Sequence, residues 1–216
     1  MKLKDYTYYL IDLDGVLLST KYDNYFWQEY IPRVYADKRG ISIEDAVSVT
    51  HSLFNYKKKT LDWYNIDYWS NILNIDIEKE KKSNHSVEKI QVIDGSLKML
   101  ENLVALNKKV FLITNAHRKT LEIKMSKFNI KKFFDDIICS HELYYAKEDI
   151  QFWYMLKLKL GLDFESTVLV EDTYDNILSA YHAGLRTSIY INNERNKKFN
   201  FVTKHIQSFG ELASCM

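Results

Sequence analysis

Tyr8-Tyr9-Leu10-Ile11-Asp12-Leu13-Asp14-Gly15-Val16 is the stretch whose reading decides the fold. An unbroken apolar run closed by an acid reads as a short strand buried on both faces. Side chains alternate along a strand, so Asp12 and Asp14 point the same way if the strand runs on through them. A second reading of the same residues is a hairpin, because Asp-Gly between apolar residues is a turn signal. The strand-end reading makes a physical demand: a free carboxylate there is costly unless it meets a cation.

Outward from this run, four more of the same kind appear. Lys109 to Ile113 ends at Thr114-Asn115, Asp136 runs to Ser140, Thr167 to Val170 ends at Glu171-Asp172, and Ser188 runs to Ile191. Helical spacing lies between them: Leu97, Leu100 and Leu103; Trp153, Leu156 and Leu160; Ile177, Ala180 and Ala183, with Gly184 as a stop. Strands alternating with helices predict an α/β chain with a Rossmann-like, doubly wound parallel sheet covered on both faces. The first crossover breaks the rule, since about 90 residues separate the first two strands, far more than one helix needs. Within it Tyr22, Tyr25, Phe26 and Tyr30 recur at helical spacing, as do Leu61, Tyr64, Tyr68 and Trp69, and Ser42 is placed to cap a helix with Asp45 three residues on. The domain reading is therefore an α/β core of residues 1–16 and 91–216 and a helical insertion of residues 17–90. The polar run Lys79 to Asn84 reads as a solvated loop or frayed helix end.

The chain has 216 residues, 46% apolar and 27% charged, which excludes disorder, collagen and coiled coil. Its net charge of +1 supplies no field to hold a nucleic acid or an anionic membrane. Two cysteines, Cys139 and Cys215, make no disulfide framework. With no apolar leader after Met1 and no run long enough to span a membrane, the expected setting is the cytoplasm, with no obligate protein partner. A single proline, Pro32, and 6 glycines mean few helix breakers, while 16 Tyr, 11 Phe and 4 Trp call for a core, a groove or both.

Ligands of open parallel sheets bind outside the carboxyl ends of the strands. The polar residues at those ends are Asp12 and Asp14, Thr114 and Asn115, Lys147, and Glu171 with Asp172. These are the groups that phosphate chemistry with a divalent cation uses: carboxylates for a hard Mg²⁺, and hydroxyl, amide and ammonium groups for phosphate oxygens. Each has a plainer reading. Thr114-Asn115 could be a helix cap, Lys147 a surface lysine, and Glu171-Asp172 acids at a helix's positive end.

The order and spacing of these groups resemble the haloacid dehalogenase superfamily over essentially the whole chain. That resemblance implies a strand order of 5-4-1-2-3, with Mg²⁺ across the Asp12 and Glu171-Asp172 strands and the insertion as a helical cap. Longer strings are similar to the bacterial GMP/IMP 5′-nucleotidases of that superfamily: Asp23 to Gln28, Leu61 to Tyr64 with Asp67 to Ser70, Thr114 to His117, and Lys147-Glu148-Asp149. Glu171 departs from the pair of aspartates of that subfamily and matches the β-phosphoglucomutase-like branch. The resemblance implies that Asp12 is the nucleophile forming an aspartyl-phosphate and Asp14 the general acid/base. It implies that Asp12, the backbone carbonyl of Asp14 and Asp172 hold Mg²⁺, with Glu171 in the outer shell, and that Thr114, Asn115 and Lys147 hold the phosphoryl oxygens. Asn176, or alternatively Asp175, would orient the metal's shell. Tyr25, Trp27, Trp63, Tyr64, Tyr68 and Trp69 form the pool for stacking on a purine. For any one of them a place in the cap's own core is the plainer expectation, as is a helix-start role for His117.

The leading expectation is thus a Mg²⁺-dependent nucleoside monophosphate phosphatase. Another small-molecule phosphatase or a sugar phosphomutase is the alternative. A non-enzymatic phospho-acceptor domain is disfavoured by the long insertion after the first strand.

Overall fold

The computed structural model describes residues 2–83, 87–192 and 199–215. The chain divides into two compact units: Met1–Ser19, Val92–Asn115 and Asn129–Met216 form one, and Thr20–Gln91 and Ala116–Phe128 form the other.

The first unit is built on six parallel strands: β1 (Tyr8–Ile11), β2 (Lys109–Thr114), β3 (Asp136–Cys139), β4 (Thr167–Glu171), β5 (Ser188–Ile191) and β6 (Lys204–Ile206). Their order is β3-β2-β1-β4-β5-β6. The five expected strands stand on their apolar runs, in the order that the resemblance implies. β6 is an addition, parallel to β5, with Ile191 opposite Ile206. Leu10, Phe111, Ile113 and Leu169 share a buried cluster with Phe152, Trp153 and Leu156 of the Ile150–Leu160 helix and with Ile177 and Ala180 of the Tyr174–His182 helix. Alternation sends Tyr9, Ile11, Leu112 and Val170, all fully buried, to the opposite face. There the Ser96–Ala105 helix packs by β2. Burial on both faces is why these strands read as continuous apolar runs.

Two local expectations are corrected here. β1 pairs in parallel with β2 and β4, so the hairpin reading of Asp-Gly falls. The strand also stops at Ile11, which leaves Asp12 and Asp14 on a turn that closes through Gly15 N–H to the Leu18 carbonyl at 2.7 Å.

The second unit is helical. The helices Lys21–Tyr25, Ile31–Arg39, Ile43–Lys57, Leu61–Tyr64, Ile66–Leu73 and Ile77–Lys82 precede Arg118–Lys127, which follows β2 in the chain. Phe26, Ile31, Phe54, Ile66, Trp69 and Leu73 form its core. Ser42 caps its helix as expected, accepting from Asp45 N–H at 3.1 Å. Phe26–Tyr30 is a π-helical turn. It ends two residues before Pro32, whose ring in a continuing α-helix would meet the Gln28 carbonyl. The helix expected through Leu61 and Trp69 is broken at Asn65, which caps the second piece with a side chain accepting from Asp67 and Tyr68 N–H.

The polar run at Lys79 is also corrected. It is helical through Lys82, and Lys81 is buried at 1% exposure; Asn84 lies outside the described residues. The Lys81 ammonium lies 3.0 Å from Asp23 Oδ1 and 4.2 Å from the centre of the Phe26 ring. Lys124 of the Arg118–Lys127 helix, likewise buried, meets Asp23 Oδ2. Burial pushes the Asp23 carboxyl up, but the Lys124 and Lys81 ammoniums hold it at about 2. The same helix is further tied to this unit by Lys119 to Asp67 at 2.7 Å and by Lys127 to the Ile90 carbonyl at 2.9 Å.

Candidate active site

β1 and β4 are neighbours at the point where the strand order reverses, the place where open α/β sheets bind ligands. Ile11 stands opposite Val170, and Asp12 N–H donates to the Val170 carbonyl at 3.0 Å. Pairing thus carries Asp12 alongside Glu171 just as the sheet ends. The ligand atoms of Asp12, Glu171 and Asp172 all lie within 4.8 Å of one another. The Asp14 carboxylate is half-buried and stands outside this trio.

Lys147 reaches the trio from the turn before the Ile150–Leu160 helix. Its ammonium lies 2.5 Å from Asp12 Oδ1 and 2.7 Å from Glu171 Oε2, at 1% exposure. Burial works against its charge, but the Asp12 and Glu171 carboxylates hold its pKa above the ordinary lysine value. Three carboxylates face this one ammonium. Burial first, then the Glu171 charge, raises Asp12 to about 8 against the pull of Lys147. Burial, with Glu171 and then Asp12, raises Asp172 to about 9. Such a cluster relaxes when it gains a cation.

The donor set fits a hard divalent ion. Both oxygens of Glu171 are committed: Oε1 accepts Asp172 and Thr173 N–H at 3.1 and 3.0 Å, and Oε2 takes Lys147. Asp12 and Asp172 each have an Oδ2 that takes no part in the bonds described, while Oδ1 of Asp172 accepts from the Thr173 hydroxyl at 3.1 Å. Asn176, buried in the first turn of the Tyr174–His182 helix, has an Oδ1 without a hydrogen-bond partner among the described residues. Buried amide oxygens are seldom left so, and a metal-bound water is a fitting donor. Gly15 has φ +84°, and a Cβ built on it would lie 1.8 Å from Asp172 Oδ2. The turn therefore passes close over the acidic pair, and only glycine leaves the room.

Thr114 closes β2 at 1% exposure and Asn115 follows at 7%. The Asn115 carboxamide is engaged at both ends: Oδ1 accepts Lys147 N–H and Nδ2 donates to Glu148 Oε2, each at 2.9 Å. Sequence reading did not single out Trp153 as more than core, yet its indole N–H donates to the Lys147 carbonyl at 2.8 Å. It also passed over Ser140, whose hydroxyl donates to the Asn115 carbonyl at 3.3 Å. A side-chain bond to a distant backbone group leaves no periodic trace in sequence.

Asp175 lies beside Asn176 in the first turn of the Tyr174–His182 helix, half-buried; His117 and the aromatic candidates lie in the helical unit. His117 caps the Arg118–Lys127 helix. Trp69 is a core member, and Trp27, Trp63 and Tyr68 pack against that core. Tyr25 and Tyr64 are half-buried and stand outside that cluster; the Lys89 ammonium sits 4.1 Å over the Tyr25 ring.

The chain belongs to the haloacid dehalogenase-like hydrolase family, whose model matches residues 9–190. It is 30% identical over 184 residues to the GMP/IMP nucleotidase YrfG of Escherichia coli (strain K12), covering 85% of this chain and 82% of that protein. Among solved structures it is similar to the HAD phosphatase of Thermococcus onnurineus, at TM-score 0.84 and 19% identity with 96% of each chain covered. It is also similar to YfnB of Bacillus subtilis, at TM-score 0.70 and 18% identity with 97% of each covered. Among the described residues no helix is long and apolar enough to cross a membrane.

Proposed function

We propose that this protein is a Mg²⁺-dependent phosphomonoester hydrolase that cleaves purine nucleoside 5′-monophosphates through an aspartyl-phosphate. The observation that carries the proposal is the buried Asp12 carboxylate at the sheet's switch point, facing Lys147 and beside the Glu171-Asp172 pair. Asp12, the Asp14 backbone carbonyl and Asp172 would hold Mg²⁺, with Glu171 and Asn176 around them. The bound ion supplies the positive charge that lets an anionic carboxylate approach an anionic phosphate.

Asp12 attacks phosphorus, and the bond to the ester oxygen breaks. Asp14 gives its proton to the departing nucleoside oxygen. It then takes a proton from the water that attacks the aspartyl-phosphate, which frees phosphate and restores Asp12. Thr114, Asn115 and Lys147 hold the equatorial oxygens as charge shifts among them. Glu171 serves by holding Lys147 and capping the turn that presents Asp172.

The nucleotide assignment rests on the likeness to the E. coli nucleotidase and on the aromatic helical unit; the insertion of residues 17–90 is proposed to act as the cap. Tyr25 and Tyr64 are the proposed stacking residues, because the other aromatics of the pool serve the unit's own core. The cytoplasm is the proposed setting. A panel of phosphomonoesters with Mg²⁺, scored by phosphate release, tests the reading. IMP and GMP are expected to lead, and preference for a sugar phosphate or conversion to an isomeric phosphate would displace it.

A further inference from the structure

We infer that Glu148 is a positioning residue for the phosphoryl-transfer centre: it fixes the Asn115 carboxamide in the orientation that anchors Lys147. The inference rests on the hydrolase reading for its kinetic consequence, though not for its geometry. Lys147 lies on a turn, outside helix and strand, so no ladder holds its backbone. Side chains do so instead. Its N–H donates to Asn115 Oδ1 at 2.9 Å, and its carbonyl accepts from the Trp153 indole at 2.8 Å. From that base the ammonium reaches Asp12 and Glu171.

An amide side chain can turn over, exchanging O for NH₂ with almost no change of shape. Turned over, Asn115 would present NH₂ to the Lys147 N–H, donor against donor, at a site with 7% exposure. Glu148 forbids this, because an ionised carboxylate only accepts and therefore takes the NH₂ end, at 2.9 Å. The order of action runs from Glu148 to Asn115, to the Lys147 backbone, and to the ammonium beside the nucleophile. Glu148 touches no reacting atom in this scheme. Asn115 anchors the lysine's turn besides offering its second amide hydrogen to a phosphoryl oxygen.

The test compares Glu148→Ala with Glu148→Gln by two readouts, hydrogen exchange at the Lys147 amide and steady-state kinetics on IMP with Mg²⁺. Glu148→Ala should speed Lys147 exchange and lower kcat by up to about 10²-fold, the scale of a 1 Å misplacement, with little change in KM. Glu148→Gln keeps a carbonyl that accepts the same hydrogen, so it should recover most of the protection and of kcat. Unchanged Lys147 exchange in Glu148→Ala, or a loss that Glu148→Gln does not recover, would overturn the inference. Should the alanine variant fail to fold, the wild-type protein decides. The two Asn115 Nδ2 protons should be separated more widely than those of a solvent-exposed asparagine, with the one bonded to Glu148 moved downfield, and the ordinary separation of a free carboxamide would refute the bond. A wild-type protein that releases phosphate from no monoester would sink the hydrolase reading, leaving Lys147 exchange to decide the role of Glu148.

Discussion

Gly15→Ala isolates the tightest contact in the site. The new Cβ would fall 1.8 Å from Asp172 Oδ2 and 2.4 Å from its Cγ, where real Cβ contacts keep at least 3.0 Å. Oδ2 must then shift by about 1.2 Å from its place in the trio. Misplacing a reacting group by about 1 Å costs about 10²-fold in rate. Backbone strain adds to this, since φ of +84° costs an L-residue about 1–2 kcal/mol. At about 2–4 °C per kcal/mol for a chain of this size, Tm should fall by roughly 2–8 °C. Gly161→Ala separates the two effects. Gly161 has φ +63° and nothing within 4 Å of a built Cβ, so it bears the strain without the collision. The assay is phosphate release across a Mg²⁺ titration, beside a thermal melt. Gly15→Ala should lose about 10²-fold in kcat/KM and need more Mg²⁺, while Gly161→Ala loses only stability. Equal activities in the two variants would refute the placement of Asp172 under the turn.

Three further outcomes are expected, one from the same acidic cluster and two from the helical unit. Without metal, Asp12 and Asp172 have pKa values raised to about 8 and 9 from an ordinary 3.8, so the fold favours their protonated forms. That stability is present below pH of about 4 and lost as pH rises through 8 to 9; the Tm gained on adding Mg²⁺ should therefore be larger at pH 9 than at pH 6, and an equal gain at both counts against a shared metal site. Asp23→Ala should cost about 3–5 kcal/mol in a denaturant melt, because it leaves Lys81 and Lys124 buried without their shared carboxylate, and a cost below about 1 kcal/mol would show that the cluster is well solvated. Replacing Tyr25 or Tyr64 by Ala should cost about 1–3 kcal/mol in kcat/KM for IMP and little for an aryl phosphate, whereas Trp69→Ala should act on stability; equal losses on both substrates would leave the purine assignment without a stacking residue.

The legible parts of this chain are those where burial is complete on both faces. Tyr8 to Ile11 and Thr167 to Val170 are apolar runs because helices cover both sides of the sheet, and the acids that end them mark its carboxyl edge. Lys204-His205-Ile206 escaped notice because a three-residue edge strand needs only one buried side chain, Ile206. Lys81 was misread because polarity counts residues, whereas burial depends on a partner: Asp23 lies 58 positions away and neutralises it. The Arg118–Lys127 helix reads like any other crossover helix. What joins it to the helical unit is three lysines whose partners, Asp67, Asp23 and Ile90, are far off in sequence. In the site, strand-end chemistry was visible residue by residue, while the brace of Glu148, Asn115 and Trp153 around Lys147 was not, since each of its bonds joins groups that no local pattern relates.

The central claim is that Asp12 takes the phosphoryl group and Asp14 manages the protons. Asp14→Asn with an aryl phosphate bearing a good leaving group tests it most directly. Departure of such a phenolate needs no acid, so Asp12 can still be phosphorylated, but the amide cannot take a proton from the attacking water. With radiolabelled substrate and Mg²⁺, the account expects a burst of phenolate matching the enzyme concentration. After an acid quench, the label should map to Asp12, and it should be missing from an Asp12→Asn control. Steady phosphate release without a burst, or label on any residue other than Asp12, would contradict the account.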